Sequence, residues 1–289
     1  MLPCGMEGGT HLRETIESQP SLVARLLQDE SAVTALAPRI EAARRIFLVG
    51  TGTSFHGAIV GEHLFRSVGR DAWAIPAFEF VHFGPALRED DALILISHRG
   101  SKRFSNQALE KFANHSGAWL VVTGEGSAFQ GDAVTLTCPQ EQSSVHTASH
   151  VGAMVRLAQL ASSVATGDPA AWSPELRELP ARIEAASHLR PAVADVVGEL
   201  DLSRPVHFVG AGPGWATAME GALKLGEASY VSTAAHELEG VLHGPILSIG
   251  GGQGVILVTA PGTTLARTRE VAAALRAVGA TLTTVGPAA

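Results

Sequence analysis

The sequence predicts an α/β protein made of two parallel-sheet units, each with three layers (helix, sheet, helix), the second truncated at its C-terminus. Three observations predict this. Short apolar strands alternate with helical patterns along most of the chain. The strand and small-residue turn that begin at Arg45 return in outline at Pro205. The 289 residues are 46% hydrophobic and only 17% charged, which suits buried sheets better than a solvated or disordered chain.

The elements follow in order. His11–Asp29 reads as one helix, because Leu12, Ile16, Leu22, Leu26 and Leu27 fall roughly on one face. After Pro38 and a short helical stretch, Arg45–Gly50 is an apolar strand that runs into a Gly/Thr/Ser turn, and Phe55–Val68 continues as a helix. Further strands are predicted at Ala72–Ile75, Ala92–Ser97, Ala118–Thr123 and Ala133–Thr137, with helices at Phe104–His115 and about Thr147–Ala165. Such short apolar strands belong to a parallel sheet covered on both faces. Gly167–Pro174, with two prolines and small polar residues, reads as a linker. Helical connectors then run through Glu175–Leu200. The opening pattern returns as a strand at Pro205–Gly210, a glycine-rich turn through Gly214 and a helix at about Trp215–Ser229. Gly254–Thr259, Thr263–Val278 and Thr281–Val285 follow as strand, helix and strand. The parallel indicates an internal duplication whose second copy is shorter by about one strand and one helix. The organisation expected is a helical segment over 1–37, a first domain over 38–166, connecting helices over 167–200 and a second, incomplete domain over 201–289.

Bulk properties narrow the function. The formal net charge is −7 and no long basic block occurs, which disfavours a nucleic-acid surface. Cys4 and Cys138 are too few and too far apart for a metal knuckle or a disulfide framework. No run reaches the roughly 18 apolar residues of a membrane span, and Met1–Thr10 lacks the basic head and apolar core of a secretory signal. A cytoplasmic protein is expected, with no membrane or nucleic-acid partner.

Three segments carry chemistry. In Gly50-Thr-Gly-Thr-Ser-Phe-His56, a turn from strand into helix, the glycines permit close backbone approach and the helix start offers free N–H groups to an anion. Thr51, Thr53 and Ser54 add hydroxyl donors; the competing reading is a capped turn with no ligand. It is not G-x-G-x-x-G, which argues against a dinucleotide. In Ser97-His-Arg-Gly-Ser-Lys-Arg103, also entering a helix, Ser97, Gly100 and Ser101 could cradle an anion, and Arg99, Lys102 and Arg103 place three cations at one helix start. The macrodipole opposes cations there by roughly 0.3–1 kcal/mol each, so an anion that neutralises them explains the cluster better than a solvated basic patch. In the third segment, Glu220, Lys224 and Glu227 fall on one helix face, with Tyr230 and His236-Glu-Leu-Glu-Gly-Val-Leu-His-Gly-Pro245 following. A carboxylate beside a lysine, with a histidine near, suits proton transfer next to a carbonyl; a surface ion pair is the plainer alternative.

Glu220-Gly-Ala-Leu-Lys-Leu-x-Glu227, Tyr230 and Glu239-Gly-x-Leu-His-Gly-Pro245 resemble the isomerase half of glutamine–fructose-6-phosphate transaminase and related proteins with two sugar isomerase (SIS) domains. His11-Leu-Arg-Glu-Thr-Ile-Glu-Ser-Gln-Pro20 resembles the leading helix of that half, Gly52-Thr-Ser54 its first sugar-binding turn, and Glu79-Phe80 its Glu-Phe pair. The resemblance covers essentially the whole chain. It implies that Glu227 is the base, that Lys224 polarises the substrate oxygens, and that His243 assists ring opening, supplied in the family by the partner subunit of a homodimer. Thr53, Ser54, Thr147 and Ser149 would line the sugar site.

Two departures stand out. The family's Ser-x-Ser-Gly-x-Thr phosphate loop is here Ser97-His-Arg-Gly-Ser-Lys102, so Arg99 and Lys102 imply a different anion geometry, for a carboxylate or a differently placed phosphate. The glutaminase domain and the family's C-terminal lysine are not in the sequence, so glutamine-driven amination and Schiff-base chemistry at that lysine are not expected. His63, His115, His188 and His207 read as structural or surface residues. His56, His98, His146 and His150 sit in turns that should face one pocket, at no spacing that specifies a metal; neither metal nor cofactor is expected. The function implied is binding and aldose–ketose isomerisation of an anionic sugar or amino sugar, with or without deamination or deglycation. The alternative is a non-catalytic sugar-phosphate sensor.

Overall fold

The computed structural model describes residues 6–115, 117–168 and 171–286, in two compact units that divide between Ser187 and His188. Cys4 and residues 169 and 170 of the expected linker lie outside the described residues.

The first unit opens with four helices, α1 (Met6–Glu17), α2 (Gln19–Gln28), α3 (Ser31–Thr34) and α4 (Pro38–Glu41). The single helix expected over His11–Asp29 is therefore two. Pro20, lacking an N–H, sits in the first turn of α2 and restarts the helix there. Then come β1 (Arg45–Gly50), α5 (Thr53–Ser67), β2 (Asp71–Pro76), α6 (Ala77–Phe83), β3 (Asp91–Ile96), α7 (Arg103–Ala113), β4 (Trp119–Thr123), β5 (Val134–Leu136), α8 (Ala148–Thr166), α9 (Ser173–Arg177) and α10 (Leu179–Ser187). The five strands form one all-parallel sheet in the order β2-β1-β3-β4-β5. Alternation within the strands produces the three layers. Ile46, Leu48, Ile94, Ile96, Leu120 and Val122 face α5 and α8 through Phe65, Leu157 and Leu160. Phe47, Val49, Leu93, Leu95 and Val121 face α6 and α7 through Phe80 and Phe112. Arg156 of α8 is buried and staples α2 to this core: its guanidinium donates to the Leu26, Asp29 and Leu136 carbonyls and to the Asp29 carboxylate at 2.7 Å.

The second unit holds α11 (Arg190–Glu199), β6 (Val206–Gly210), α12 (Pro213–Ser229), β7 (Thr233–Glu237), β8 (Gly254–Val258), α13 (Leu265–Ala277) and β9 (Thr281–Val285), with short 3-10 turns at Gly240–Leu242 and Pro245–Leu247. Its parallel sheet runs β7-β6-β8-β9. That is the order of the first sheet without a fifth strand, and the first turns repeat as well. Gly52 and Gly212 have φ of 57° and 54°, a left-handed backbone that favours glycine. A Cβ at Gly50 or Gly210 would collide with the first turn of the helix that follows, at Ser54 and Gly214 respectively. Sequence reading passed over β7, because Thr233-Ala-Ala-His-Glu237 has no β-branched run; its pairing with β6 makes it a strand. It passed over α6 too, a helix of only two turns.

In both sheets the order reverses beside the first strand, so a crevice opens at the carboxyl ends of β1 and β3, and again at those of β6 and β8.

Candidate functional site

In the first unit the crevice gathers three turns. Thr53 and Ser54 open α5 behind β1, His98 follows β3, and Ser149 and His150 lie in the first turn of α8. With Thr123 and Thr137 they line one narrow cleft whose enclosed space is about 10 Å³, room for about one water. Thr51 is exposed and Ser97 is buried below the turn. Gly100 takes φ of 68°, and a Cβ there would press on Ala128 and Phe129. Ser101, Lys102 and Arg103 are exposed where α7 starts, and no side chain caps that helix.

The helix starts are not equivalent. Thr147 is the N-cap residue of α8, yet its own hydroxyl makes no cap bond and is buried without a partner. Glu141 caps α8 from outside the helix: its carboxylate accepts the N–H groups of Thr147 at 2.8 Å, Ala148 at 3.2 Å and Ser149 at 2.9 Å. Burial pushes the Glu141 carboxyl up, but the Ser149 hydroxyl and these amides outweigh it and hold it below the usual range. The positive end of α8 is thus filled by an internal anion. No local sequence signal marks Glu141, which lies six residues ahead of the N-cap.

Beside it, Arg99 donates to His146 Nε2 at 3.2 Å and lies 3.5 Å from the Glu141 carbonyl. The His98 ring meets His146 edge-on with centroids 5.1 Å apart, and His98 Nε2 accepts the Glu141 N–H at 3.2 Å. Burial lowers His98 to about 4, so it is neutral at pH 7. That tautomer leaves a proton on Nδ1, which is buried with no hydrogen-bond partner. Arg99 therefore stands with His146 beside the turn after β3, Lys102 is exposed at the α7 start, and Ser149 gives its hydroxyl to Glu141.

His98, Cys138 and Glu141 bring donor atoms within 4.8 Å of one another, which raises the question of a metal. Glu141 is engaged by three amides, His98 Nε2 by a fourth, and burial pushes the Cys138 thiol up to about 12. A metal needs a thiolate and free lone pairs, so this donor set is built for packing, and no metal is assigned to it.

In the second unit Lys224 Nζ lies 2.6 Å from Glu227 Oε2 and 3.5 Å from Glu220 Oε1. The ion pair read as Glu220–Lys224 is thus centred on Glu227. The lysine side chain is only 18% exposed, against 37% for Glu227. Because α12 runs back antiparallel to β6, this pair lies near the amino ends of the strands. His243 follows β7 and lies toward their carboxyl ends, where its Nε2 meets Glu239 Oε1 at 3.3 Å. The structure of the unit does not bring His243 to Lys224 and Glu227. His207, expected to be structural, is buried in β6 and pairs with His236 at 3.0 Å.

Residues 39–165, spanning β1 to α8, match the SIS domain family. Over 272 residues the chain is 26% identical to the glutamine–fructose-6-phosphate aminotransferase [isomerizing] of Methanothermobacter thermautotrophicus, a match covering 94% of this chain and 46% of that protein. The chain spans less than half the length of the curated aminotransferases it matches. Among solved structures, the C-terminal domain of glucosamine-fructose-6-phosphate aminotransferase from Francisella tularensis aligns with a TM-score of 0.83 at 19% identity, covering 95% of this chain and 83% of that one. A putative phosphosugar isomerase from Silicibacter pomeroyi aligns with a TM-score of 0.83 at 22% identity over 96% and 87%. These structures share the fold: the parallel sheet beyond the SIS segment, in the second unit, is aligned along with it. Among the described residues no helix is long and apolar enough to cross a membrane.

Proposed function

We propose that this protein binds a small anionic sugar or amino sugar and interconverts its aldose and ketose forms by moving a proton between adjacent carbons. Coupled deamination or deglycation is compatible with the same chemistry. The observation that carries the reading is the contact of 2.6 Å between Lys224 and Glu227, two residues that the resemblance to the isomerase half singles out. Glu227 takes the proton alpha to the substrate carbonyl and returns it to the neighbouring carbon. The charge that develops on oxygen in the enediolate is met by the Lys224 ammonium. Contacts to Glu220 at 3.5 Å and Glu227 at 2.6 Å hold that ammonium along the face of α12.

Anion recognition is assigned to Arg99 and Lys102, with Ser97, Gly100 and Ser101 forming the turn, and Thr51, Thr53, Ser54, Thr147 and Ser149 nearby for the sugar. Glu141 supports this assignment by occupying the α8 start, which leaves the cationic turn before α7 as the place for a ligand's charge. His243 is assigned to ring opening. The length of β7, roughly 17 Å, separates it from Glu227 within one unit, so a homodimer that delivers His243 to a neighbouring copy is part of the proposal.

The test is solvent-deuterium incorporation at C1 or C2 of a panel of sugar phosphates, amino-sugar phosphates and sugar acids first selected by thermal shift. Wild type should incorporate deuterium and Glu227→Gln should not, while still binding. Absence of exchange from any sugar that binds refutes the isomerase and leaves a sensor.

A further inference from the structure

His243 is presented outward by an unusually determined piece of chain. Its side chain is 72% exposed, and Leu247, four residues on, is 90% exposed. The segment that carries them is nevertheless fixed from below. Val241 is fully buried in the core of the second unit. The Glu237 carboxylate accepts the N–H of Glu239 at 3.0 Å and of Gly240 at 2.7 Å, which sets the start of the 3-10 turn. Glu239 then receives a bidentate grip from α13: Arg267 Nε donates to Oε2 and Nη2 to Oε1, both at 2.8 Å. Arg267 is itself held from the other side by Glu270 at 2.6 Å. The chain of contacts ends on the imidazole, whose Nε2 stands 3.3 Å from Glu239 Oε1.

An isolated exposed ion pair contributes little and costs side-chain freedom. Four charged or titratable groups aligned over a buried anchor are a poor investment in stability, but they orient a ring well. A carboxylate on one imidazole nitrogen fixes the tautomer and leaves the other nitrogen free for chemistry. The arginine keeps that carboxylate ionised, with Glu239 drawn down to about 2 chiefly by its bond to Arg267.

We propose that Glu239 is a positioning residue for His243, locked by Arg267, that holds Nε2–H on the carboxylate and presents Nδ1 as the nitrogen that exchanges a proton with a bound sugar. This rests on His243 being the ring-opening group. The proton that Nδ1 takes from the anomeric hydroxyl as the ring C–O bond breaks is balanced by one delivered to the ring oxygen, so the imidazole ends unchanged.

The experiment has one arm independent of turnover. Two-bond 1H–15N spectra of the full chain, with the His243 signals assigned by their loss in His243→Asn, report the tautomer of the neutral ring. Wild type should be predominantly Nε2–H, Glu239→Gln a mixture, and Glu239→Asp nearer to wild type. An unchanged tautomer in Glu239→Gln overturns the proposal whatever the substrate. The second arm compares a cyclic hexose 6-phosphate with erythrose 4-phosphate, whose phosphorylated terminal oxygen cannot close a furanose ring. On the cyclic sugar Glu239→Gln should lower kcat by up to about 10²–10⁴-fold, the range that positioned acid–base catalysis contributes, with KM nearly constant. On the acyclic sugar the loss should disappear. An equal loss on both makes Glu239 merely structural and overturns the proposal. Should wild type turn over neither sugar, the tautomer arm alone decides whether the clamp exists.

Discussion

Replacing Glu141 with Gln keeps the shape of the cap and removes its charge. In the wild type Oε2 accepts from Thr147 and Ala148, and Oε1 from Ser149. The amide of Gln offers one oxygen, so either one or two N–H groups face an NH2 in a side chain that is 7% exposed. Each buried donor left unsatisfied costs about 1–3 kcal/mol. Losing the carboxylate from a helix start adds up to about 2 kcal/mol in a partly buried setting. The sum is roughly 3–5 kcal/mol, which for a unit of this size lowers Tm by about 10 °C.

The sign with pH is fixed by the direction of the Glu141 shift. Its folded-state carboxyl lies below the ordinary glutamate value of 4.5. Its stabilisation is therefore complete above the unfolded value and is lost as pH falls through the folded one. Urea unfolding of wild type and Glu141→Gln at pH 7.5 should differ by the full amount, and the difference should shrink below pH 4. Hydrogen exchange at the first amides of α8 should rise in the variant while the amides of β3 keep the protection of the sheet. A difference under about 0.5 kcal/mol at pH 7.5 is within the range of an ordinary surface substitution. Such a result, or a difference that does not change with pH, would refute the cap.

Four further outcomes are expected. Glu227→Gln should reduce deuterium exchange by about 10²–10⁴-fold, the usual effect of losing a general base, with ligand affinity by calorimetry nearly unchanged. Arg99→Ala should weaken an anionic sugar by about 2 kcal/mol through loss of a charge-assisted hydrogen bond, and should leave a neutral analogue unaffected in the same titration. Neutral His98, lowered to about 4 from 6.5, stabilises the folded first unit above pH 6.5, and that stability drains away as pH falls toward 4; in His98→Asn the urea midpoint should lose this slope. Mixing Glu227→Gln with His243→Asn subunits should restore part of the activity if copies complete each other, and sedimentation should then show a dimer.

The fold was legible because β1, β3, β4, β6 and β8 are short apolar runs and the strand–turn–helix pattern at Arg45 recurs at Pro205. What escaped was set by pairing rather than by composition: β7 is polar and small, and exists because β6 offers it a parallel edge. The helix over His11–Asp29 broke at Pro20 although its apolar face continues across the break. At the site, Lys224 and Glu227 could be placed together from a spacing of three, since helical periodicity fixes that contact. Glu141 and Arg156 could not. One reaches a helix start from the loop before it, and the other joins α8 to α2 across 127 residues, so both depend on tertiary position alone.

The two units share a frame and differ in which end of it is chemically equipped. In the first, the polar groups gather at the carboxyl ends of the strands: the α5 turn, the cationic turn after β3, and the α8 start already filled by Glu141. In the second, the carboxyl ends carry the Arg267–Glu239–His243 line, while Lys224 and Glu227 sit at the opposite end of α12. A helix start attracts anions and a helix end attracts cations, so the placement of Lys224 in the last two turns of α12 is electrostatically favourable. The cations before α7 are placed against that preference. In the proposed reading the cationic turn is where a ligand's anion binds, and Arg99, 3.2 Å from His146, is the residue whose replacement tests it.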